Sequence, residues 1–168
     1  IFVFNDFNEV FKLLEKYEII LTPHITTLQD EYSGDFSENK FLDVGIYNLG
    51  FLALRRSETC DIMLRWWANR LLDNCFVDMN NYTATDQKWM LCLPMFFNDK
   101  TLHVSRNIGL NVATWNFYER EIIKIDDEFF VQNRIIKNTE IVPLIFVHFS
   151  NYNYSELGSG KIVHYALK

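Results

Sequence analysis

The chain has 168 residues, 49% of them hydrophobic and 16% aromatic, which is ample for a folded core and excludes disorder as its main state. The net charge is −6, and residues 1–45 carry nine acids against three bases while the remainder is balanced. No basic stripe is present to hold a phosphate backbone, so no nucleic-acid partner is expected.

In chain order, Ile1–Phe4 is apolar, and Asp6 is placed to cap a helix over 7–17, with Glu9 three residues on as in a capping box. Ile19–Leu21 reads as a short buried strand ended by Thr22-Pro23. Residues 26–42 are polar and read as a loop of functional length. Ile46–Leu54 reads as a strand interrupted by Asn48 and Gly50. Ser57 is expected to cap a helix with the stripe Cys60, Leu64, Trp67, Leu71 and Cys75. Thr85 is expected to cap a second helix through about Cys92, stopped by Pro94. Strands are expected near 101–105, 111–115 and 129–135, and Leu144–Phe149 is a last apolar run of strand length. Alternating helical and strand patterns make this an α/β chain.

Cys60, Cys75 and Cys92 show no metal-type spacing, so buried free thiols and a reducing compartment are expected, and hence a cytoplasmic placement that includes the inner membrane surface. The sequons at Asn81 and Asn153 read as chance matches. No apolar run approaches the ~20 residues of a transmembrane helix. The first residue is Ile1 rather than Met, which points to a start upstream.

Four short motifs carry chemistry, each beside a structural reading. In Tyr47-Asn48-Leu49-Gly50-Phe51, a mid-strand Asn and Gly would let a ligand approach, or would form a bulge with a hydrogen-bonded Asn. Asp86-Gln87, at a helix start, could grip sugar hydroxyls, or Asp86 could complement the helix dipole. In 109–116, Trp115 could stack on a sugar or a base with Asn116 as polar anchor, or could be a core tryptophan. His148, near the end of an apolar strand, could ligate a divalent metal or be a satisfied core histidine. No GxSxG elbow appears, which ranks an α/β hydrolase last.

The order and spacing of these motifs resemble GT-A glycosyltransferases of the glycogenin and lipopolysaccharide-galactosyltransferase kind. The segments GIYNLGFLALRRS, LRWW, DQKW, NVATWNFYER and VHFS resemble a group of bacterial glycosyltransferases of that fold, over residues 1 to about 152. The resemblance implies that residues 1–168 are the carboxy-terminal portion of a Rossmann-like GT-A domain, a mixed sheet flanked by helices. Such a domain moves a sugar from a nucleotide-diphospho-sugar to a glycan, lipid or protein acceptor with a divalent metal, Mn or Mg. An Asp-x-Asp metal motif is expected just before Ile1. By the same resemblance His148 is a metal ligand, and Asn48 and Gly50 line the donor sugar. Asp86 and Gln87 flank its anomeric centre, while Trp115 and Asn116 lie near the transferred sugar or acceptor. The chain departs from the family in carrying Asn151 where a Gly is usual and in lacking a Lys-Pro-Trp diphosphate clamp, for which Lys161 is a weak substitute. A non-catalytic sugar-binding or scaffold module with the same fold is the alternative.

Overall fold

The computed structural model describes residues 1–34, 36–78 and 80–150. Asn151, Lys161 and the sequon at Asn153 therefore lie outside the described residues. In chain order the elements are β1 (Phe2–Val3), α1 (Asn8–Lys16), β2 (Ile19–Pro23), α2 (Glu38–Val44), β3 (Tyr47–Leu54), α3 (Glu58–Asn74), β4 (Val77–Asp78) and β5 (Thr83–Ala84). There follow a 3-10 helix (Gln87–Cys92), α4 (Leu93–Phe96), β6 (Leu102–Val104) and a 3-10 turn (Thr114–Asn116). The last elements are β7 (Arg120–Ile125), β8 (Glu128–Asn133), β9 (Val142–Pro143) and β10 (Phe146–Val147). The chain is thus mixed α/β, with several small sheets and four α-helices among the described residues. No described helix is long and apolar enough to cross a membrane.

The chain divides into two compact units. One comprises Phe7–His24 and Glu38–Arg106. Its sheet has the order β3-β2-β6, with β3 antiparallel and β6 parallel to the central β2. Ile19, Ile20, Leu21 and Thr22 of β2 are all buried, as a central strand covered on both faces requires. Ile19, Leu21, Tyr47 and Leu102 join Cys60 and Met63 of α3, with Met90 and Leu93, in one hydrophobic cluster. Ser57 caps α3, its hydroxyl accepting from the Cys60 amide at 3.2 Å.

The other unit comprises Ile1–Asp6, Ile25–Ser37 and residues from Asn107 onward. It contains the antiparallel pair β1–β10 and the antiparallel sheet β7-β8-β9. A two-residue turn, Asp126-Asp127, joins β7 to β8, with Asp126 left-handed at φ 53°. Val112, Val131, Leu144 and Val147 form its apolar cluster. Beside them lies a buried ion pair, Glu119–Arg120 at 3.1 Å. The Glu119 carboxylate also accepts from the Thr26 amide and hydroxyl and from the Thr27 amide at 2.7 Å. Arg120 donates to the carbonyls of Ile108 and Leu110. Burial lowers the Arg120 pKa and Glu119 raises it again, so the pair stands as a satisfied charged network.

Several expectations are corrected. The residue before α1 is Phe7 rather than Asp6, and its side chain makes no capping bond. The loop from 26 ends at Ser37, because Glu38–Val44 is α2. The buried stripe of α3 begins Cys60–Met63, while Leu64 is exposed and Cys75, at the helix end, is exposed too. A residue at i+3 rather than i+4 carries the stripe, which turns Leu64 outward. Thr85 is not a cap, since its backbone is left-handed. Pro94 opens α4 at its first turn instead of ending a helix, because proline lacks only a donor that is unpaired there anyway. Residues 111–115 hold a single bridge, Val112 to Val147, and then a 3-10 turn, not a strand.

Candidate functional site

The first cluster of expected site residues lies in the unit built on β2, β3 and β6. The pairing of β2 with β3 slips between Leu21 and Pro23, so residues 48–51 bulge opposite Thr22. In that bulge the Asn48 side-chain oxygen accepts from the Gly50 amide at 2.8 Å. The Asn48 amide nitrogen therefore points the other way. It lies 3.1 Å from His24 Nε2 and, as a longer contact, 3.4 Å from Gln87 Oε1.

Gln87 is oriented from its far end. Its Nε2 donates to the carbonyl of Val44, the last residue of α2, at 3.1 Å, which turns its oxygen toward Asn48. This order of donors and acceptors requires His24 Nε2 to accept from Asn48. A neutral imidazole then carries its proton on Nδ1. Gly45 makes the arrangement possible: it ends α2 at φ +103°, and a Cβ there would lie 3.1 Å from Lys88 Cα.

Asp86 adjoins this cluster as the residue before the 3-10 helix. Its side chain makes no capping bond, and its carbonyl accepts from Trp67 Nε1 at 3.1 Å. The segment leading to it is strained. Tyr82 and Thr85 are left-handed at φ 58° and 53° on either side of β5, and for the β-branched Thr85 this is an outlier costing of order 1–3 kcal/mol.

Trp115, Asn116 and His148 belong to the other unit. Asn116 is 0% exposed; its oxygen accepts from the Ala113 amide at 2.9 Å, and its nitrogen donates to the Asn111 carbonyl at 3.1 Å. It brackets the Thr114–Asn116 turn from within. Trp115 is also buried, with its ring edge-on to His148, centroids 5.4 Å apart at 84°. His148 follows β10, half-buried, and its Nδ1 has no hydrogen-bond partner among the described residues. Burial lowers the pKa of its ring, favouring the neutral form that ligates metals.

An unpartnered imidazole nitrogen fits one ligand position of a divalent ion. Among the described residues, however, no three His, Cys, Asp or Glu side chains are grouped to hold an ion. His148 could therefore supply one ligand to a site whose other donors come from elsewhere.

Two features of these clusters are not among the expected site residues. His24 follows Thr22-Pro23 at the end of β2, and a histidine just past a strand-ending proline is the signal that marks it. Glu119-Arg120 gives less warning, since adjacent opposite charges are ordinary on a surface.

No protein-family profile matches the chain, and no solved structure does. The chain is 27% identical over 110 residues to the uncharacterized protein YfnD of Bacillus subtilis (strain 168), an alignment covering 64% of this chain and 32% of that protein. It is 24% identical over 121 residues to the uncharacterized protein YfnF of the same organism, covering 72% of this chain and 37% of that protein. The chain thus spans about a third of the length of these curated relatives.

Proposed function

We propose that this chain is part of a GT-A-type glycosyltransferase that moves a sugar from a nucleotide-diphospho-sugar to a glycan, lipid or protein acceptor, with a divalent metal, Mn or Mg. The observation that carries the reading is the meeting of Asn48 and Gln87, 39 residues apart, beside Gly50 and Asp86. These are the motif residues that the resemblance assigns to the donor sugar. Asn48 and Gln87 meet as oriented, neutral amides beside the His24 imidazole.

In such a site the Asn48 and Gln87 amides would fix sugar hydroxyls and hold the anomeric carbon toward the acceptor. The Gln87 oxygen would face positive charge developing at that carbon. The resemblance assigns His148, in the other unit, as one ligand of a divalent metal, which when bound would offset charge on a leaving diphosphate.

A second reading, a sugar-binding module without turnover, draws on one observation. The Asn48 and Gln87 side chains bond one another and nearby backbone, as a purely structural cluster also would. Turnover of a panel of nucleotide sugars with manganese by the full-length protein separates the two. Gln87→Ala is expected to lower kcat about 10²-fold. Asp86→Ala and His148→Ala should also lose turnover, each with an unchanged circular dichroism spectrum. Unaltered rates in all three variants would overturn the site assignment.

A further inference from the structure

Beside the 3-10 helix that begins with Gln87 lies a cavity of about 350 Å³. Asn74, Tyr82, Thr83, Lys88, Trp89 and Cys92 line it. The structure assigns to this cavity a further binding site, for one neutral saccharide unit. On the transferase reading above, on which this second step rests, that unit belongs to the acceptor, which makes the acceptor a glycan.

Size and lining chemistry agree. The volume lies at the lower end of the ~300–1,000 Å³ typical of small-molecule sites. Sugar hydroxyls both donate and accept, and so do the Asn74 amide and the Tyr82 and Thr83 hydroxyls. The Trp89 ring offers an apolar face to ring C–H groups. Among the described residues of the lining Lys88 is the single charged side chain, and no arginine is among them to grip a phosphate in bidentate fashion. A lipid tail would need a continuous apolar channel, which amides and hydroxyls interrupt.

Position strengthens the assignment. Lys88 follows Gln87 on a helix of about three residues per turn, so their side chains leave it about a third of a turn apart. An occupant of the cavity would thus lie one residue along from the group proposed to hold the donor sugar. Tyr82, in the lining, is left-handed at φ 58°, and strain of this kind persists where surrounding structure holds it for a task.

Cys92 supplies a reporter that needs neither nucleotide nor turnover. Its alkylation by iodoacetamide in the full-length protein would be followed by peptide mass spectrometry, with buried Cys60 as a control for unfolding. Methyl glucoside, N-acetylglucosamine and lactose would each be added at millimolar concentration, with inorganic phosphate and octanoate as comparisons. At least one sugar should slow Cys92 alkylation about tenfold. The protection should vanish in Tyr82→Ala, at a side chain 79% exposed, and in Lys88→Met. No protection by any sugar, or equal protection by phosphate or octanoate, would overturn the site. Protection in a protein that turns over no nucleotide sugar would leave the saccharide site standing and remove the transferase reading. Turnover without protection would do the reverse.

Discussion

Replacing Glu119 by Gln should be among the most damaging conservative substitutions in this chain. The shape is kept, but one carboxylate oxygen becomes an amide nitrogen. Placed at Oε2, that nitrogen would face the amides of Thr26 and Thr27. Placed at Oε1, it would face the Thr26 amide and Arg120 Nε. Either way two donors meet, and the buried Arg120 loses its only anionic partner among the described residues. Breaking a buried pair from one side costs about 3–5 kcal/mol, a large share of the ~5–15 kcal/mol that holds a typical domain. Urea unfolding of the intact chain, followed by far-ultraviolet circular dichroism and by tryptophan fluorescence, measures the loss. The partner substitution Arg120→Met, taken with Glu119→Gln in a double-mutant cycle, should show strong coupling, because the unpaired cation is gone in the double variant. A Glu119→Gln protein within ~1 kcal/mol of the parent, or additive single effects, would refute the reasoning.

Three further outcomes are expected. Thr85→Gly should raise stability by about 1 kcal/mol, since released backbone strain exceeds the added freedom of the unfolded chain; a fall in Tm would show that the φ of 53° is not strained. Gly45→Ala should cost about 1–3 kcal/mol and push Lys88 outward, read as a lowered Tm. The Asp78 carboxyl is held below its ordinary range by hydrogen bonds from the Asn81 side chain and the Asn80 amide. Its contribution is therefore present above the unfolded value of about 3.9 and lost as pH falls through the folded value. Amide exchange at Asn80 should quicken over that acid range, whereas protection that persists to the lowest pH would contradict the assignment.

The elements legible in the sequence were those whose periodicity a single unit satisfies. β2 and β3 read correctly because their apolar runs are bounded by Pro23 and by Ser57, and Ser57 caps α3 as its side chain suggests. β7 went unread because one face carries Glu121, Ile123 and Ile125 and the other Arg120, Ile122 and Lys124, a mixture on both faces that only pairing with β8 resolves. The 111–115 segment looks like a strand because Val112 and Trp115 are apolar, yet Asn116 folds it into a turn by bonding Ala113 and Asn111. At the site, Asn48 stood out as a polar residue in an apolar strand, and Gln87 as the partner of Asp86 at a helix start. His24 carried only the mark of following a strand-ending proline, because the slip in strand register that brings it to Asn48 is written in no local pattern.

The Glu119 carboxylate has one more consequence, for the order in which the chain acquires its structure. Thr26 leaves the ribosome 93 residues before the group that accepts its amide. At ~5–20 residues per second the interval is roughly 5–20 s. Every segment of the unit holding Asn48 and Gln87 is synthesised once Arg106 has been added, whereas β1 must wait for Val147. During translation, then, one unit can close around its own sheet while residues 25–37 remain a tethered segment awaiting partners. Long-range closure of that kind is slow, and its exposed donors are where a folding chain would first meet a chaperone or a wrong strand.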